Sequence, residues 1–163
     1  DDIARFAELG VIASIQTVHM SSDRPWAIDR LGKDRIESGA YVWRDLLNAG
    51  VHLANGTDVP VEPINPLANF YAAVARKTLK GTPEEGYEYH QRLSREEALQ
   101  SMTLWNAYAA FQEDDLGSVV VGKRADLTIL NQDIMTVTDA DILTTGVAMT
   151  IVDGEIVYTA QRQ

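Results

Sequence analysis

The first third of the chain reads as a strand, helix, strand succession. The apolar run VIASI (residues 11–15) and the run VHLANG (residues 51–56) read as short buried strands. Between them Ile36, Ala40, Trp43 and Leu47 recur at helical spacing over residues 34–49, and Gly50 supplies a stop. Two strands joined by a helical crossover of this length pair in parallel, which makes this a βαβ unit and the class α/β. Two such units are too few to close a sheet. A (β/α)8 barrel of the TIM type takes eight units over about 250 residues, so if the chain belongs to one, most of that barrel lies outside it.

The flanking segments fit this frame. Ile3, Phe6 and Ala7 share a helical face that Gly10 ends. Residues 16–33 are polar and read as a long loop containing Arg24, Pro25 and Trp26, a candidate lid. Pro66 suits a first helical position, and Leu67, Phe70 and Val74 continue that helix to about Lys80. Residues 81–92 read as loop. Ser94 with Glu97 forms a capping-box signal, followed by Ala98, Met102, Trp105 and Ala109 on one side of a helix. From Asp115 the texture changes. Gly117, Gly122, Gly146 and Gly154 punctuate the β-rich runs SVVV, DLTIL, VAMTIV and EIVY, and Asp153-Gly154 is a two-residue hairpin signal. The chain divides into an α/β part, residues 1–114, and a β tail, residues 115–163. It contains no internal repeat.

Charge narrows the partners. There are 24 Asp plus Glu against 14 Lys plus Arg, a formal charge of -10. A nucleic acid or an anionic membrane asks for the opposite sign, and the pairs Arg76-Lys77 and Lys123-Arg124 are isolated. No apolar run approaches the roughly 20 residues that span a bilayer. The absence of cysteine removes disulfides, thiolate ligands and cysteine nucleophiles together. The first residues carry neither Met nor a signal-like pattern and read as an internal cut, which leaves the compartment open.

The segment NGTDVPVEP holds the most chemistry. Asp58 falls just past the C-terminal end of the second strand, where α/β enzymes gather their reactive groups, and Gly56, Pro60 and Pro63 fix the turn. An Asp that only caps the turn or the following helix fits the same local sequence. His19 lies beyond the end of the first strand, on the same side of the sheet. His52 starts the second strand and lies roughly 20 Å from Asp58, too far to share a coordination sphere. Glu62 follows Asp58 in its loop and either lines the pocket or anchors the loop. Arg76 reads as solvated or structural rather than as a carboxylate clamp. Trp43 and Trp105 occupy apolar helix faces, whereas Trp26 is placed to cover a substrate.

GTDVPVEPINPL, preceded by VIASIQTVH and followed by GSVVVGKRADLTIL and VAMTIVDGEIVY, resembles the C-terminal portion of the amidohydrolase superfamily. The nearest branch is the one that includes N-substituted formamide deformylases and YtcJ-like hydrolases, and the match runs along nearly the whole chain in family order. Gly122-Lys123-Arg124-Ala125-Asp126-Leu127 resembles a phrase that sits in a small β-sandwich beside the barrel in such enzymes. The resemblance implies the last two βα units of a (β/α)8 barrel, then strands of that sandwich. It also implies one or two divalent metals, usually zinc, and a small-molecule substrate whose amide or formamide C–N bond is hydrolysed. The position matching the family's metal-binding, proton-accepting Asp after the eighth strand is Asp58. Such a role is coherent, because a metal lowers the pKa of bound water towards 7 and a nearby carboxylate can take its proton.

The family's other ligands, a paired His motif on the first strand, a mid-barrel bridging group and further His residues, have no counterpart here. The chain begins after the point that matches the sixth strand. Ser14-Ile15-Gln16-Thr17-Val18-His19 resembles a phrase whose His faces the active site and orients substrate or acts as acid, with Thr17 where relatives commonly carry Pro. With Asp58 as its one matched ligand, the isolated chain is expected to be inactive. The alternatives are a binding or assembly module that pairs with a second copy, and a fragment that complements a missing N-terminal part.

Overall fold

A computed structural model describes residues 2–161. The elements run α1 (Ile3–Glu8), β1 (Ala13–Ile15), α2 (Thr17–Leu31), α3 (Lys33–Gly39), α4 (Trp43–Asn48), β2 (Leu53–Asn55) and α5 (Pro66–Ala75). They continue with α6 (Arg95–Met102), α7 (Leu104–Ala109), β3 (Leu127–Leu130), α8 (Asp139–Ile142), β4 (Val147–Val152) and β5 (Glu155–Thr159). The α/β reading holds in this coarse form. β1 and β2 pair in parallel from Ala13 with Leu53 to Ile15 with Asn55, and the Gly56 N–H extends the ladder to the Ile15 carbonyl at 3.0 Å. The second sheet is an antiparallel meander, β3–β4–β5. Asp153 and Gly154 both take positive φ, +51° and +83°, as a two-residue hairpin turn requires.

One core joins both sheets' neighbourhoods. α5 buries Leu67 through Ala75 and is capped by Asn65, whose side chain accepts the Leu67 N–H at 3.0 Å. Around Phe70 gather Met20, Trp43, Leu53 and Leu93, and Ile134 and Ile142 enter the same cluster from the segment before β4. Arg95 fastens that segment, donating to the Ile134 carbonyl at 2.5 Å and to Asp139 at 2.8 Å. The capping box of α6 is present: the Glu97 N–H donates to Ser94 Oγ at 3.1 Å, and the Ser94 N–H donates to Glu97 Oε2 at 2.7 Å. Among the described residues no helix is long and apolar enough to cross a membrane.

Several local expectations are corrected. Residues 16–33 are helical over Thr17–Leu31, so the lid segment Arg24-Pro25-Trp26 is part of α2. Its buried stripe is Thr17, Met20, Ser21, Arg24 and Ala27, a helical spacing in which polar residues occupy inward positions. Helix 34–49 is two helices, separated where Tyr41 takes φ +56°. The helix from Pro66 ends at Ala75 because Arg76 takes φ +58°. Thr103, at φ -129° and ψ -87°, divides the helix from Ser94 into α6 and α7. SVVV forms no strand, and Val119, Val120 and Val121 stand exposed with no ladder partner among the described residues.

Candidate functional site

The parallel pair brings His19 and Asp58 to one end of the sheet. α2 begins two residues after β1, and His19 is its third residue. Asp58 lies three residues past the end of β2 with φ +58°, a left-handed conformation that Asp tolerates better than most residues. Its carbonyl accepts the Val61 N–H at 2.8 Å, closing the turn. His19 Nε2 stands 3.7 Å from Asp58 Oδ2, beyond hydrogen-bond length but close enough to act on a shared group. The His19 Nε2 atom is buried and has no hydrogen-bond partner among the described residues, whereas the Asp58 side chain is half-exposed. A recess beside His19 is lined by Gln16, Tyr41 and Trp43.

Beneath this end lies a polar network with no local sequence signal. The Thr17 N–H donates to Asn55 Oδ1 at 3.2 Å and the Val18 N–H to Asn69 Oδ1 at 2.8 Å. The Thr17 hydroxyl donates to the Asn69 carbonyl at 2.8 Å and accepts from Asn55 Nδ2 at 3.0 Å. Asn106 donates to the Asn55 carbonyl at 3.1 Å. Thr17, Asn55 and Asn69 are all buried.

A second cluster holds the walls. Arg24 donates to Glu88 from Nε at 3.2 Å and from Nη2 at 2.6 Å. Arg76 approaches the same carboxylate at 3.6 Å. It donates to the Tyr87 and Tyr41 carbonyls at 2.8 and 2.9 Å, and its guanidinium lies 4.4 Å over the Trp43 ring. Complete burial pushes Arg76 down to about 10 against the pull of Glu88. Arg24 moves the other way, raised by its hydrogen bonds to Glu88. Tyr41 is raised by burial.

The remaining candidates separate. Glu62 is half-buried in the Asp58 loop and forms no ion pair among the described residues. Trp26 is 52% exposed on α2, seven residues and so about two turns, ~10.5 Å, beyond His19 on the same helix face. Arg76 is structural. His52 stacks on Tyr108 with ring centroids 4.5 Å apart and meets the edge of Trp105. It sits at the opposite end of β2 from Asp58. Among the described residues no group of three or more His, Cys, Asp or Glu side chains could hold a metal ion. His19 and Asp58 supply two donors at most, so a complete divalent-metal site does not fit this chain by itself.

The amidohydrolase family profile matches residues 1–158. The chain is 33% identical over 156 residues to the putative amidohydrolase YtcJ of Bacillus subtilis, covering 96% of this chain and 29% of that protein. It is 33% identical over 115 residues to the N-substituted formamide deformylase of Arthrobacter pascens, covering 71% of this chain and 21% of that protein. The crystal structure of an uncharacterized metal-dependent hydrolase from Pyrococcus horikoshii superposes with a TM-score of 0.72 at 31% identity, over 85% of this chain and 28% of that one. The chain therefore spans under a third of each of these relatives. With matches of this extent, the chain belongs to the amidohydrolase family.

Proposed function

We propose that this chain is the C-terminal part of a longer metal-dependent amidohydrolase that cleaves an amide or formamide C–N bond in a small molecule. The observation that carries the reading is the approach of His19 to Asp58 at the C-terminal ends of two adjacent parallel strands. Residues 1–114 then contribute the last two βα units of a (β/α)8 barrel, and residues 115–163 contribute strands of a β-sandwich. Asp58 is one ligand of a divalent metal, zinc in the simplest case, whose other ligands come from outside this chain.

Within that site Asp58 accepts a proton from the water that attacks the carbonyl carbon. As the C–N bond breaks the nitrogen needs a proton, and His19 orients the substrate or supplies that proton. Glu62 borders the pocket from the Asp58 loop, and Trp26 covers it from the His19 face of α2. The isolated chain lacks activity, because a catalytic zinc takes roughly three protein ligands.

The test is hydrolysis of a panel of N-substituted formamides and small amides by the parent protein. Turnover that is lost with a chelator and restored by a divalent metal, and that is absent from the isolated chain, supports the reading. A parent protein inert on the whole panel with every metal overturns it.

A specific observation favours a second reading, an assembly module. Val119 and Val121 are 87% and 104% exposed, and Ile156, Val157 and Tyr158 lie open on β5. Such a surface fits a second copy or an N-terminal partner polypeptide. Concentration-independent monomer in sedimentation experiments, with no binding of an apolar dye, rules it out.

A further inference from the structure

A helix leaves its first N–H groups without partners, and the usual remedy is a side chain from the residue just before it. α2 lacks that remedy: Gln16 makes no side-chain cap. Its first two amides are accepted instead by residues far away in sequence, Thr17 by Asn55 at the end of β2 and Val18 by Asn69 on α5. These contacts bridge 38 and 51 residues. The Thr17 hydroxyl closes the circuit, donating to the Asn69 carbonyl while accepting from Asn55 Nδ2, so every polar atom of its side chain and its N–H is used.

The consequence is geometric. A helix capped by its own preceding residue can pivot with that residue. A helix whose first turn is held by a strand and a second helix has its start fixed in their frame. His19 follows the second capped amide by one residue, and Asp58 follows Asn55 by three. We propose that Asn55 and Asn69 are positioning residues that cap α2 in trans and thereby set the separation of His19 from Asp58. Neither Asn touches the reacting atoms. The proposal rests on the reading of His19 and Asp58 as partners in one hydrolytic site, since a misplacement of about 1 Å at such a site costs on the order of a hundredfold in rate.

Asn69→Leu removes the acceptor while keeping the side-chain size close, and Asn69→Asp keeps an acceptor for the Val18 N–H. In the parent protein, amide exchange at Val18 in the Leu variant accelerates at least tenfold, while Leu53 and Ala72 in the core stay within about threefold of the unsubstituted protein. A crystal structure of that variant shows His19 Nε2 displaced by about 1 Å or more relative to Asp58. In the parent protein kcat falls at least tenfold with KM within about twofold, and Asn69→Asp recovers most of the loss. Uniform acceleration across the core, an unchanged His19–Asp58 separation, or loss of kcat without rescue by Asp overturns the proposal. The exchange and crystallographic arms decide it even if the parent hydrolyses nothing, an outcome that would sink the functional reading alone. Should the Leu variant fail to fold, Asn55→Ala, which removes the acceptor of the Thr17 N–H, takes its place, with amide exchange at Thr17 and the same displacement as readouts.

Discussion

Helices α5 and α2 pack against each other and are built in opposite ways. In α5, nine of ten residues are buried, and all but Asn69 are apolar or aromatic, so exclusion of water is enough to hold it. In α2, six of fifteen are buried, and Thr17, Ser21 and Arg24 among them are polar. Each of these three finds a partner outside α2: Thr17 on β2 and α5, Ser21 at the Lys77 carbonyl at 2.5 Å, and Arg24 at Glu88. The two helices are therefore vulnerable in different ways. An apolar face loses stability in proportion to the surface removed, whereas a paired polar face fails when one partner leaves the other stranded.

The largest effect should come from Glu88→Gln. It withdraws the carboxylate that pairs with both Arg24 and Arg76, each of them buried, and should cost about 3–5 kcal/mol in urea unfolding. A cost below about 1 kcal/mol would mean that apolar packing alone holds α2, and the contrast with α5 would collapse. Glu97 gives the partly exposed counterpart. Arg44 and the Ser94 donors hold its carboxyl down at about 2, below the value of an unfolded chain. Its contribution is therefore complete above the unfolded pKa of about 4.5 and is lost as pH falls from about 5 towards 2. Solvent screening limits it to about 1–2 kcal/mol. Urea midpoints of the protein and of Glu97→Gln should converge over that interval, and a gap that persists to pH 2 would break the assignment. Smallest is Ser21→Ala, which strands the Lys77 carbonyl at about 1 kcal/mol with an unchanged denaturant slope.

Legibility in the sequence follows the same division. α5, the Ser94–Glu97 capping box and the Asp153-Gly154 turn are readable because each signal is local: apolar run, cap spacing, turn dipeptide. α2 reads as loop because its inward stripe is half polar, and the partners that make those residues buriable lie tens of positions away. The break at Tyr41 is invisible for a related reason, since the Arg76 guanidinium grips the Tyr41 carbonyl from 35 residues further on. SVVV carries strand propensity with nothing described to pair with. The placement of Asp58 and His19 at one end of the parallel pair is legible because strand ends are legible. Asn55 and Asn69 are not, since only folding brings them to the start of α2. Thr17 uses an N–H that a Pro at this position would lack.

Asp58 is proposed to belong to a divalent-metal site completed by residues outside this chain. The most direct measurement is the metal content of the purified parent protein and of its Asp58→Ala variant by elemental mass spectrometry. The expected result is at least about one divalent metal per parent chain, falling several-fold in the variant while its circular dichroism is unchanged. A parent protein without metal, or one whose metal content does not respond to loss of Asp58, would contradict it.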